Sequence, residues 1–248
     1  PLSPSGVGVT LRNLCEGLLK TGRYQFVCLG GAINHTANRP IKFHEHGDDW
    51  IINPVEGYGN AELIRSAIRT FKPDILFFMT DPRFYYWLWQ IENEVRGLIP
   101  MVYYHVWDAY PYPWFNKSLY ESTDVVVTIS KITSDIVRTV APAVEEHYVP
   151  HACDTELFKR YPDEVIEKFK REHFSELGSR FVVFFNSRNA MRKQSGCILW
   201  WWRDFLDEVG EAQACLIIHT DPKDENGPDL LALTQERKFK PKTQIVFS

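Results

Sequence analysis

Ser3-Pro4-Ser5-Gly6-Val7-Gly8 runs straight into a segment in which Leu11, Leu14, Cys15, Leu18 and Leu19 recur at i, i+3, i+4, i+7 and i+8. That spacing puts all of them on one face of a helix. Gly22 ends the helix, and Tyr24-Gln25-Phe26-Val27-Cys28-Leu29 reads as a buried strand. Glycines just ahead of a helix let the backbone approach a ligand closely. The first helical turn adds unpaired N–H groups and partial positive charge, which suits a phosphate or a sugar hydroxyl. A plain turn before a helix fits the same residues, because short glycine patterns are weak motifs. A doubly wound fold places a strand before such a loop. Here there is no room for one, so the chain is expected to begin just after its first strand.

Working outward, residues 32–59 are loop-like, with Asn34, Asn38, Pro40, Gly47, Pro54, Gly57 and Gly59 and short strands expected near 41–44 and 50–53. Leu63, Ile64, Ala67, Ile68 and Phe71 mark a second amphipathic helix that Pro73 stops, and residues 74–79 form a continuous apolar strand. A helix is expected over 83–97 and strands over 101–105 and 125–129. Ser130 then caps a helix running to Val140, with Ile132, Ile136, Val137 and Val140 on one face. Residues 151–162 cross to a charged helix over 163–177. The strand–helix rhythm then restarts: a strand at 181–186, a helix bearing Ile198, Leu199, Trp202, Phe205, Leu206 and Val209, and a strand at 215–219. A polar loop at 221–228, a helix over 229–239 and a strand at 244–247 follow. Strands alternating with helices in two series predict an α/β chain with parallel sheets. The expected division is residues 1–158 and 159–248, with a cleft between the lobes and the second sheet ending near Phe247.

Composition bounds the partners. The net charge of −4 gives no reason to expect a nucleic acid. The five cysteines are widely spaced with no C-x-x-C pair, which indicates neither a zinc site nor a disulfide framework and fits a reducing, cytoplasmic setting. No apolar run approaches the roughly 20 residues that span a bilayer.

In open parallel sheets ligands sit beyond the carboxyl ends of strands, so the residues just after strands are the candidates. His105 ends an apolar strand and precedes Val106-Trp107-Asp108. There an imidazole could donate to a sugar hydroxyl or phosphate oxygen, or be a structural group satisfied by Asp108. Ser187-Arg188-Asn189-Ala190-Met191-Arg192-Lys193 carries three cations at a strand-to-helix junction, as an anion site or as a solvated basic loop. Trp200, Trp201 and Trp202 cannot all face one way on a helix; Trp202 fits the core stripe and the other two border it or an interface.

Taken together, Ser5-Gly6-Val7-Gly8, the run from Asp124 to Lys131, Val149-Pro150-His151-Ala152-Cys153-Asp154-Thr155-Glu156-Leu157-Phe158, and Ser187-Arg188 with Lys193 resemble a retaining family-four glycosyltransferase of the GT-B type. The family commonly has Pro-His-Gly-Val-Asp at its domain junction, where this chain has Ala152 and Cys153 in place of the Gly and Val. The resemblance implies two Rossmann-like lobes with parallel sheets facing a cleft, the second incomplete. Residues 1–158 would be an acceptor-side domain lacking its first strand, and 159–248 part of the nucleotide-sugar domain. It implies transfer of a sugar from a nucleotide-sugar donor with retained configuration to an unknown carbohydrate, lipid or protein acceptor. The donor is a substrate; no cofactor and no bound metal are implied, and peripheral membrane contact is left open. Arg188 and Lys193 match the residues that hold the donor diphosphate, with Gly6 and Gly8 beside it. His105 matches a catalytic histidine lining the reacting sugar. Ser5, Trp107, Asp108, Ser130 and His151 are expected to line the cleft. The family's acidic pair would fall beyond Ser248.

Other readings compete. A nucleotide-sugar epimerase of the same fold needs no acceptor, and a binding module needs no turnover. A Rossmann dehydrogenase would want a third glycine where Leu11 stands.

Overall fold

In the computed structural model, which describes residues 1–31 and 39–248, each apolar run read as a strand forms one. Asn34 and Asn38 lie outside the described residues. The chain makes two compact units, Pro1–Asp154 and Thr155–Ser248.

Unit 1 opens with α1 (Gly6–Leu19), which buries Cys15 against Trp50 and Ile52. β1 (Phe26–Gly30) pairs in parallel with β3 (Trp50–Pro54), and the two-residue β2 (Ile41–Lys42) pairs antiparallel with β3. The direction of β2 follows from its connection: a single turn through Gly47–Asp49 leads into β3, whereas a parallel return needs a dozen or more residues. After α2 (Ala61–Phe71) comes a second sheet of β4 (Leu76–Met79), β5 (Met101–His105), β6 (Val125–Thr128) and β7 (Glu145–Tyr148), in sequence order and all parallel. The strands of this unit are therefore divided between two hydrogen-bonded sheets. Their crossovers carry α3 (Tyr86–Trp89), α4 (Glu92–Arg96), α5 (Lys117–Glu121) and α6 (Lys131–Val140).

The single helix expected over 83–97 is broken into a 3₁₀ turn, α3 and α4. Aromatic packing overrides the periodicity here. The Tyr85 hydroxyl bonds the Met79 carbonyl at 3.2 Å, the Trp89 indole bonds Thr123 at 3.1 Å, and both rings meet Phe78 edge-on. In α6, Ile136, Val137 and Val140 are buried as expected, but Ile132 is 60% exposed. At 100° per residue the buried stripe is centred near Thr133, which leaves Ile132 at its margin.

Unit 2 has α7 (Asp163–His173), then a parallel sheet in the order β10-β9-β8, built from β8 (Phe181–Asn186), β9 (Ala214–His219) and β10 (Ile245–Phe247). Alternation along β9 serves two cores. Leu216 and Ile218 pack with Leu199, Trp202 and Leu206 of α8 (Ser195–Val209) and Leu230 of α9 (Leu230–Glu236). Cys215 and Ile217 pack with Phe174 and Leu177. Among the described residues no helix is long and apolar enough to cross a membrane.

Candidate functional site

At the start of α1, Ser5 is extended and its Oγ accepts from the Gly8 N–H at 3.2 Å, an N-cap. The two glycines differ. A Cβ on Gly8 would lie 2.1 Å from the Ser3 carbonyl oxygen, whereas one on Gly6 would meet nothing within 4 Å. Gly8 is thus required by the packing of residue 3 on the helix. Only Gly6 leaves an open backbone face.

In the parallel sheet β4–β7, the residues after each strand leave at one edge. Thr80, just past β4, has φ 118°, a conformation rare for a β-branched residue, and its carbonyl accepts from the Tyr103 hydroxyl at 2.6 Å. His105 does not face outward from that edge as expected. It is fully buried, with Nδ1 2.9 Å from the Tyr103 oxygen and Nε2 2.7 Å from the Tyr120 oxygen. The Tyr103 O–H donates to the Thr80 carbonyl, so its oxygen accepts from Nδ1–H, and Nε2 accepts from the Tyr120 O–H. Burial pushes the imidazole down to about 3, which keeps it neutral. Asp108 is exposed and is not its partner. The reason is strand parity: His105 shares a face with Tyr103, two residues earlier, and that face is the core.

The other edge residues of unit 1 come together in two places. The Thr133 hydroxyl donates to the Trp107 carbonyl at 2.8 Å, and the Thr133 N–H donates to Ser130 Oγ at 3.1 Å, so α6 is capped against the loop after β5. His151 is exposed, with its ring 5.6 Å from that of Tyr104, whose hydroxyl donates to the Val149 carbonyl at 2.9 Å; partial burial lowers the His151 pKa.

In unit 2, β8 ends at Asn186 and the loop 187–193 leads into α8. It is locked to the loop 221–228, which follows the neighbouring strand β9. Asn189 Nδ2 donates to the Pro228 carbonyl at 2.8 Å, and the Met191 N–H donates to the Asn226 carbonyl at 2.9 Å. A Cβ on Gly227 would sit 2.1 Å from the Asn189 carbonyl oxygen, so the two backbones touch. Arg188 is not a free cation: its Nε donates to Asp224 Oδ2 at 2.6 Å and its Nη2 to Oδ1 at 3.2 Å. This fork holds the Asp224 carboxyl well below the usual range. Lys193 is exposed and its Nζ has no partner among the described residues.

Asp224 was not singled out from sequence. The polar loop was visible, but the pairing of its second acid with Arg188 spans 36 residues and depends on β8 and β9 being neighbours. Among the described residues no three His, Cys, Asp or Glu side chains gather as a metal site.

No protein-family model matches this chain, and no curated protein matches it. Solved structures do match in fold. The E. coli structure of trehalose-6-phosphate bound with UDP-2-fluoro glucose matches with a TM-score of 0.62 and 9% identity, over 100% of this chain and 71% of that one. A structure of trehalose-6-phosphate synthase OtsA matches with a TM-score of 0.66 and 10% identity, over 99% and 69%. A UDP-forming trehalose-phosphate synthase from Burkholderia xenovorans matches with a TM-score of 0.58 and 12% identity, over 98% and 70%. The fold is therefore the GT-B kind of α/β architecture, and the chain spans about 70% of those structures.

Proposed function

We propose that the protein is a glycosyltransferase that moves a sugar from a nucleotide-sugar donor to an acceptor with retention of configuration. The observation that carries this reading is the loop 187–193. It carries Arg188 just past the end of β8 and Lys193 just ahead of α8, in a chain that shares its fold over its whole length with a structure bound to a UDP-sugar analogue. A guanidinium, an ammonium and a helix N-terminus together stabilise the charge that grows on a departing diphosphate. The donor would be a substrate; no cofactor is invoked. A reducing, cytoplasmic setting belongs to the same proposal and is supported by five free cysteines.

The test is calorimetric titration of UDP and of uridine into the wild type, Arg188→Ala and Lys193→Ala. UDP affinity should fall in both variants, by about tenfold or more for Lys193→Ala, while uridine binding stays unchanged. Equal UDP affinity in all three proteins would remove the donor site from this loop. The enclosure of His105 favours a second reading, a module that binds a nucleotide sugar without turning it over. Product analysis with donor alone and with candidate acceptors separates the readings: transfer requires an acceptor, epimerisation does not, and a binding module yields no product.

A further inference from the structure

Resting on the donor reading above, we propose that Asp224 is the resident anion of the diphosphate site: its carboxylate fills the Arg188 fork, and a nucleoside diphosphate binds by taking that fork from it. The two parallel bonds from Nε and Nη2 are the geometry in which a guanidinium grips a phosphate. The partners are unequally placed. The Asp224 side chain is 12% exposed and that of Arg188 is 67% exposed. Asp224 is also held from behind: its Oδ1 accepts from the Asn226 N–H and from Asn226 Nδ2, both at 2.9 Å. The loop that carries it is pinned by the Met191–Asn226 backbone bond and by the close contact of Gly227 with Asn189.

The exchange therefore needs no loop movement. Arg188, long and outward-facing, swings from the carboxylate to the ligand, and Asp224 is left with the two Asn226 donors rather than orphaned. Lys193, exposed and without a partner among the described residues, supplies the attraction that meets the ligand first. Asp224 then sets donor affinity: each binding event gives up an internal ion pair, which subtracts from the bond gained.

The test uses the whole chain and UDP as probe, titrated into the wild type, Asp224→Asn, Arg188→Ala and the double variant. Asp224→Asn keeps an Oδ1 for Asn226 but removes the charge that competes for Arg188. It should bind UDP about three- to fivefold more tightly than wild type, the modest scale of a pair whose arginine is largely exposed. The double variant should bind like Arg188→Ala, because the gain requires the guanidinium. Asp224→Ser, with a short oxygen for the Asn226 amide, provides the same comparison if the asparagine variant folds poorly. If Arg188→Ala weakens UDP binding and the Asp224 variants bind no better than wild type, Asp224 orients Arg188 rather than competing for it; this inference falls and the donor reading stands. UDP that binds Arg188→Ala as well as wild type overturns this inference; the donor reading falls with it when Lys193→Ala is equally unaffected or when UDP binds none of the proteins.

Discussion

The Nε2 atom of His105 lies 2.7 Å from the Tyr120 hydroxyl, and the Nδ1 on its other side is taken by Tyr103 at 2.9 Å. The neutral ring is thus the centre of a buried chain that runs from Tyr120 through His105 and Tyr103 to the strained Thr80. A proton added to Nε2 would face a hydroxyl that has turned its own proton toward the ring, at a fully buried position.

This fixes a sign for acid stability. The His105 pKa is about 3 in the folded chain against about 6.5 in an unfolded one, so above 6.5 the group's contribution is fully present. As pH falls from 6.5 toward 3, the unfolded chain gains a proton that the folded chain refuses. Stability then drops by about 1.4 kcal/mol per pH unit from this site. His105→Gln has no such proton. Urea unfolding at pH 7 and pH 4.5 should show an acid loss smaller in the variant by on the order of 2 kcal/mol. Identical pH dependence in the two proteins would mean that the ring is not buried neutral.

The glycine pair makes a second, opposed prediction. Gly8→Ala puts a methyl 2.1 Å from the Ser3 carbonyl oxygen, and overpacking of that kind costs about 1–3 kcal/mol. Gly6→Ala meets nothing within 4 Å and sits in the first turn of α1, where alanine favours the helix by a few tenths of a kcal/mol. The expected result in thermal unfolding is a lowered midpoint for Gly8→Ala and an unchanged or raised one for Gly6→Ala. The reading that places Gly6 beside the donor adds a loss of UDP affinity in Gly6→Ala with no loss of fold. Equal destabilisation by both would show that the residue 3 contact is not what requires Gly8.

Thiol labelling separates the cysteines. Cys153 and Cys197 are exposed, Cys15 and Cys215 buried, and burial pushes the Cys215 thiol up to about 11. An alkylating reagent at pH 8 should modify Cys153 and Cys197 in the native chain within minutes, and Cys15 and Cys215 only after denaturant is added. Fast native labelling of Cys215 would contradict the packing of β9 on Phe174 and Leu177.

How much of this was legible in the sequence varies with the range of the interaction concerned. Strand and helix positions were, because apolar periodicity is local: the 101–105 run became β5 and the capped run after Ser130 became α6 with Ser130 as its N-cap. The break in 83–97 was not, because it is imposed by ring contacts with Phe78, which lies on another element. Among the candidate residues, Arg188 and Lys193 stood out by charge at a strand end, but their unequal state was hidden, since Asp224 reaches Arg188 only once β8 and β9 pair. His105 carried a signal that position alone obscured. Being two residues from Tyr103 within an aromatic run, it has the parity of a core residue.

The tryptophan triplet tests the last link, from helix face to stability. Trp202 is 6% exposed, and its indole N–H donates to the Gln244 carbonyl at 2.9 Å, tying α8 to the turn that delivers β10. Trp200 is 49% exposed with the Arg237 guanidinium over its ring, and Trp201 is 63% exposed. Trp202→Phe removes both a buried hydrogen bond and part of a ring from the core with Leu216 and Ile218. The Gln244 carbonyl still accepts from the Leu216 N–H at 3.0 Å, so it is not left bare, and the expected cost is about 1–3 kcal/mol. Trp200→Ala loses a cation–π contact and some covered surface, worth about 0.5–1 kcal/mol at an exposed site. Trp201→Ala should fall within about 0.5 kcal/mol of wild type. Urea unfolding followed by circular dichroism, which does not depend on the fluorophores removed, should rank the three in that order. A Trp201 variant as destabilised as the Trp202 variant would mean that α8 is rotated from the face that buries Leu199, Trp202 and Leu206.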